Sequence, residues 1–179
     1  MAVARSRRAG LEVSAEQSPE SQDERSLLLS FLKYPGEAVL DVGTGDCACV
    51  ASLLAAKKMV VVASDADAET VGAAEKFLRQ EGLWQQVHLI QDDITASRLE
   101  SGSFLNIVCF NVLHHVPHWQ KALAELKRIL APGGRLLISD YNENRAAFVK
   151  ELEKAVRRRF AFVAVDPRPQ ERLLLICEK

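Results

Sequence analysis

From residue 38 onward the chain alternates two hydrophobic patterns. Short apolar runs mark buried strands, and stretches with apolar residues every three or four positions mark amphipathic helices. Ala38–Val42, Met59–Ser64, Val87–Gln91, Leu105–Phe110 and Arg135–Ser139 read as strands. The Met59–Ser64 run is apolar almost throughout, as expected of a strand covered on both faces. Helices are predicted over Ala48–Lys57 (Val50, Leu53 and Leu54 inward), Ala68–Glu81 (Val71, Ala74 and Leu78 inward), Trp119–Leu130 (Leu123, Leu126, Ile129 and Leu130 inward) and Asn144–Arg159. Gly82 follows the second of these, and Pro132-Gly133-Gly134 stops the third. Phe160–Val165 and Arg172–Cys177, separated by Asp166-Pro167-Arg168-Pro169, suggest an antiparallel hairpin.

The start of the chain differs. Residues 1–20 are small, polar and charged, and are expected to form a mobile arm. Ser21 and Glu24 form a capping box for a helix carrying Leu27, Leu28, Phe31 and Leu32, which Pro35-Gly36 ends near Tyr34. Residues 21–179 then make one domain, without internal repeats. Strands alternating with helices predict an α/β fold: a mostly parallel Rossmann-like sheet with helices on both faces.

The totals narrow the class of protein. The chain has 179 residues, 48% hydrophobic and 26% charged, the balance of an ordinary globular domain. A formal charge of -1 gives no overall field toward nucleic acid or an anionic membrane. No apolar run reaches transmembrane length, and the N-terminal arginines precede no signal-type apolar stretch. Cys47, Cys49, Cys109 and Cys177 lack zinc spacing and are read as reduced thiols of a cytoplasmic protein.

In an open parallel sheet, ligands sit beyond the carboxyl ends of the strands, near the point where strand order reverses. After the first strand comes Asp41-Val42-Gly43-Thr44-Gly45-Asp46-Cys47. Its two glycines allow a sharp turn and close approach of backbone to ligand. After the second comes Asp65, about twenty residues beyond Gly43, the usual place for an acid that binds a ribose diol. After the third come Asp92 and Asp93, able to accept from an exocyclic amine. Asn111, Leu113, His114 and His115 follow the fourth, and Asp140 and Tyr141 the fifth.

Several of these residues also fit structural roles. Asp46 fits a helix N-cap, Asp65-Ala66-Asp67 fits a helix start, and one of Asp92 and Asp93 fits a turn acid. His114 and His115 suit either packing or proton transfer, while His88, His118, Trp84 and Trp119 read as surface or packing residues.

Charge separates two nucleotide readings. Gly43-Thr44-Gly45-Asp46-Cys47-Ala48 satisfies G-x-G-x-x-A, which allows a dinucleotide such as NAD and an oxidoreductase. A pyrophosphate would be opposed by Asp41 and Asp46. S-adenosylmethionine, with a sulfonium, an ammonium and a single carboxylate, suits an acid-lined loop.

The same segments resemble the class I S-adenosylmethionine-dependent methyltransferases. Val39-Leu40-Asp41-Val42-Gly43-Thr44-Gly45 is similar to the family's first motif, and Ser64-Asp65-Ala66-Asp67 to its second-strand acid motif. Gln91-Asp92-Asp93-Ile94 is similar to its adenine-side motif. Phe110–Val116 and Leu130–Leu136 resemble the segments around strands four and five. The resemblance covers roughly residues 25 to 179 and implies a seven-stranded sheet of order 3-2-1-4-5-7-6, its last strand antiparallel. It implies that Asp41, Gly43, Thr44 and Gly45 shape the methionine side and that Asp65 holds the ribose, with Ala66 beside the adenine. Asp93 would meet the adenine amine, Ile94 would line the ring, and Asn111 would offer its carbonyl to the ammonium. Departures are Cys47 where a third glycine is common, Leu105-Asn106 where an aspartate is common, and no Asn/Asp-Pro-Pro-aromatic signature after strand four.

His114, His115, Asp140 and Tyr141 are placed on the acceptor side, where either histidine could take a proton. The expected reaction yields S-adenosylhomocysteine and a methylated acceptor. A small molecule is favoured over protein or RNA. A non-catalytic cofactor-binding protein on the same fold is the third alternative. No metal is expected, so activity should survive a chelator. The oligomeric state is left open, a homodimer included.

Overall fold

A computed structural model describes residues 28–32, 36–45, 50–141, 146–165 and 172–179. The predicted arm, the Ser21–Glu24 capping box, Tyr34-Pro35, Asp46, Cys47, Cys49 and the Asp166–Pro169 turn lie outside the described residues. Residues 28–31 are helical, with Leu28 and Phe31 buried. The elements then run β1 (Val39–Val42), α1 (Val50–Ala56), β2 (Val61–Asp65), α2 (Ala68–Gln80), β3 (Val87–Gln91) and β4 (Phe104–Phe110). A short 3-10 turn (Leu113–His115), α3 (Trp119–Ile129), β5 (Leu130–Tyr141), α4 (Ala146–Arg159), β6 (Phe162–Val165) and β7 (Arg172–Glu178) complete the chain.

The seven strands form one sheet in the order β3-β2-β1-β4-β5-β7-β6, as the resemblance implied. β3, β2, β1, β4 and β5 pair in parallel, and β7 is antiparallel to both β5 and β6. Every residue of β1 is buried, because β2 and β4 flank it and helices cover both faces. Alternation along the strands splits the core in two. Leu40, Val42, Ile107 and Cys109 pack toward Leu123, Leu126 and Ile129 of α3 and Leu152 and Val156 of α4. Val39, Val61, Ala63 and Val108 pack on the other face with Leu54 of α1, Leu78 of α2, and Leu28 and Phe31.

Several boundaries shift from expectation, that of β5 by the most. β2 begins at Val61, because Lys58 turns the chain through φ +61° and leaves Val60 half-exposed after the buried Met59. α3 ends at Ile129, and Leu130 already pairs with Phe104. Pairing resumes with Arg135 opposite Asn106; the Ala131-Pro132-Gly133-Gly134 segment between them includes a proline without N–H and Gly133 at φ +73°. Val71, expected to face inward, is only half-buried, whereas Ala74 and Leu78 are fully buried.

Candidate functional site

Strand order reverses between β1 and β4, so the crevice at their carboxyl ends is the natural ligand site. Gly43 and Gly45 adopt φ of +68° and +58°, which glycine alone takes without strain. The N–H groups of Gly43 and Thr44 both donate to the Ser64 carbonyl, at 2.8 and 3.0 Å, anchoring the turn on β2. The side chain of Thr44 points back into the protein and donates to Asp41 at 2.7 Å.

Asp41 is 2% exposed. Burial pushes its carboxyl up to about 7, and neighbouring Asp65 pushes the same way. The hydrogen bonds from Thr44 and the backbone of Ala51 act against that rise.

The two acids after β2 divide the work. Asp65 reaches back, accepting from Gly45 N–H at 3.1 Å through one oxygen and from Asp67 N–H at 3.0 Å through the other. Asp67 is the N-cap of α2, accepting from Thr70 N–H at 2.8 Å and its hydroxyl at 2.7 Å. Of the two acids, Asp65 is the one that connects the helix start to the glycine loop. Ala66 is exposed beside it, its carbonyl held by Gln91 Nε2 at 3.1 Å.

Beyond β3, Asp92 and Asp93 diverge. Asp92 is buried and accepts from Arg98 N–H at 3.0 Å, so it organises the following loop. Asp93 is exposed, and the Thr95 backbone N–H and hydroxyl hold its carboxyl below the usual range. Ile94 is buried in the core beneath the loop.

After β4 the chain turns sharply. Asn111 sits at φ +58°, a conformation asparagine tolerates better than most residues. Its N–H donates to Ser139 O at 2.8 Å. Val112 then packs directly on Gly43. The 3-10 turn that follows carries His114, whose side chain is 4% exposed, and the exposed His115. Asp140, at the end of β5, is fully buried. One of its oxygens accepts from the His114 backbone N–H at 3.2 Å, and the other meets His114 Nδ1. The two imidazoles lie with centroids 3.9 Å apart, tilted by 44°. The side chain of Tyr141 lies outside the described residues.

One buried group joins the two halves. Burial holds the Cys109 thiol well above its ordinary range, and Asp140 and Asp41 both add to the rise. Cys109 pairs with Val42 of β1 and Ile138 of β5, so its strand lies between the strands that carry the two acids. The structure thus gathers Asp41, Thr44, Gly45 and Asp65 into one hydrogen-bonded cluster and His114 with Asp140 into another. Ser64 and Val112 were not among the predicted site residues. A serine within an apolar strand and a valine after a turn residue carry no signal of their own.

Comparison with known proteins identifies the family. A family model described as a methyltransferase domain matches residues 39–134, more than half of the chain. The chain belongs to the methyltransferase-domain family. Among curated relatives of this methyltransferase domain is the ubiquinone/menaquinone biosynthesis C-methyltransferase UbiE of Blochmanniella floridana, 34% identical over 111 residues. That match covers 61% of this chain and 44% of the relative, so the chain spans less than half the length of the curated relatives it matches. A solved S-adenosylmethionine-dependent methyltransferase from Aquifex aeolicus superposes with a TM-score of 0.73 at 23% identity, covering 85% of this chain and 87% of its own. A Haemonchus contortus phosphoethanolamine N-methyltransferase bound to S-adenosylhomocysteine gives a TM-score of 0.69 at 20% identity, covering 83% and 39%. The methyltransferase-domain fold is the one these structures share.

Proposed function

We propose that the protein transfers a methyl group from S-adenosylmethionine to a small-molecule acceptor. The observation that carries this reading is the donor set at the sheet's switch point: the carboxyls of Asp41 and Asp65 converge on a glycine turn, with Asp93 beyond the next strand. These groups fit the cofactor. Asp65 would accept from the ribose hydroxyls and Asp93 from the adenine amine, with Ala66 and Ile94 beside the ring. Asn111 and the Asp41–Gly45 turn would hold the methionine end, where Asp41 favours positive charge. The same acids weigh against a pyrophosphate, and so against an NAD-dependent oxidoreductase.

When bound, the cofactor supplies an electrophilic methyl group: an acceptor lone pair bonds to its carbon, and the carbon–sulfur electron pair stays on sulfur as S-adenosylhomocysteine. The protein's part is position and desolvation. His114, His115, Asp140 and Tyr141 belong to the acceptor side, with Asp140 acting from beneath His114. A small acceptor is supported by the relatives named for ubiquinone and menaquinone biosynthesis. Residues 21–179 form the catalytic domain. Among the described residues no helix is long and apolar enough to cross a membrane, and no group of three or more His, Cys, Asp or Glu could hold a metal ion.

Incubation of the full chain with methyl-labelled S-adenosylmethionine and a panel of phenols, quinols and amines, alongside bulk protein and RNA, tests the reading. Label is expected in the small-molecule fraction. Label confined to protein or RNA would overturn the choice of acceptor.

A further inference from the structure

We propose that Asp140 is a positioning residue that fixes the His114 ring with its proton on Nδ1. Nε2 is then the atom that receives the proton an acceptor loses on methylation. The inference rests on the methyltransferase reading and narrows the acceptor to one that must lose an O–H or N–H proton.

The geometry favours one tautomer of the imidazole. His114 follows β4 and Asp140 ends β5, and both carboxylate oxygens of Asp140 are directed at this one residue. The first accepts from the His114 main-chain N–H at 3.2 Å and fixes the turn. The second faces Nδ1. An ionised carboxylate only accepts hydrogen bonds, so the ring nitrogen facing it must carry a proton. That holds for the neutral and the charged imidazole alike, and Nε2 becomes the site of proton exchange. The ring of His115, 3.9 Å away, packs against His114 and limits reorientation. A side chain 4% exposed beside a carboxylate 0% exposed forms a dry pair, so the imidazolium created by proton transfer meets its counter-charge at contact distance.

The chemistry balances without another reactant. The proton leaving the acceptor's oxygen or nitrogen moves to Nε2, while Nδ1 keeps its own in the hydrogen bond to Asp140. A later exchange with water returns Nε2 to its starting state.

Asp140→Asn distinguishes positioning from simple support of the turn. The His114 main-chain N–H still requires an acceptor, so the amide oxygen takes that position and the amide NH2 faces Nδ1. Nδ1 must then accept, and the ring proton moves to Nε2. Long-range 1H–15N spectra of the labelled full chain report this directly, with the His114 signals assigned by their loss in His114→Gln. The expected result is a wild-type neutral ring protonated on Nδ1, and an Asp140→Asn ring protonated on Nε2. In the acceptor assay, kcat should fall on the order of a hundredfold with KM for S-adenosylmethionine held. A wild-type ring protonated on Nε2, or the same tautomer in both proteins, would overturn the proposal. The wild-type spectrum decides the tautomer even if the variant does not fold. Titration of the wild type with S-adenosylmethionine is the separate arm: no binding would sink the methyltransferase reading whatever the tautomer.

Discussion

Gly43 and Val112 meet where the chain leaves β1 and β4. A Cβ on Gly43 would lie 2.4 Å from one Val112 methyl carbon and 2.7 Å from the other. With φ at +68°, the position excludes a side chain on two counts. Gly43→Ala should destabilise the fold by about 2 kcal/mol or more in chemical denaturation. Val112→Ala removes both methyl contacts and leaves the Cβ of residue 112 at 3.2 Å. The double variant should therefore be more stable than the sum of the single effects predicts. Strict additivity would show that the two side chains do not compete for one space.

Asp41 sets a pH dependence with a definite sign. Its folded value of about 7 lies above the ordinary 3.8, so the folded state holds a proton that the unfolded chain releases. The group's contribution is most favourable below pH 3.8, falls as pH rises, and is fully lost above about 7. The change amounts to about 4 kcal/mol. Denaturant titrations from pH 4 to 8 should show this slope in the wild type relative to Asp41→Asn. Parallel curves would remove Asp41 as the cause. Because a cationic ligand favours the ionised carboxyl, S-adenosylmethionine binding at pH 6 should release protons, detectable as a buffer dependence of the binding enthalpy.

Asp65 and Asp67 have different tasks although one residue separates them. Asp65→Ala should weaken S-adenosylhomocysteine binding at least about tenfold, a loss of about 1.4 kcal/mol. Asp67→Ala removes only the N-cap of α2, so it should lower the melting temperature and leave that affinity within about twofold. Equal losses of affinity would contradict the division seen in their hydrogen bonds.

The two histidines should likewise separate. His114→Gln is expected to cut turnover on the order of a hundredfold with cofactor affinity retained. His115→Gln, at an exposed ring, should cost less. An unchanged rate in His114→Gln would take it out of the reaction.

What could be seen in the sequence follows from how local each signal is. The β1 turn announces itself, because Gly43 and Gly45 follow an apolar strand directly. The placement of Asp65 beside the glycine turn is legible from its distance to those glycines, but its hydrogen bond to Gly45 N–H requires the loop to fold. The early start of β5 was hidden: Leu130 continues the apolar stripe of α3, and only its pairing with Phe104 makes it strand. The His114–Asp140 pair spans 26 residues and depends on β4 and β5 being neighbours, which periodicity does not encode. Asp92 and Asp93 are alike in residue type; the resemblance already favours Asp93, and the fold separates them by burying Asp92 and exposing Asp93.

The central claim concerns the methyl donor, and titration calorimetry of the full chain with S-adenosylmethionine, S-adenosylhomocysteine and NAD tests it most directly. The acid cluster of Asp41 and Asp65 predicts saturable binding of the first two and none of NAD. Tight binding of NAD, with no heat from either sulfur ligand, would contradict it.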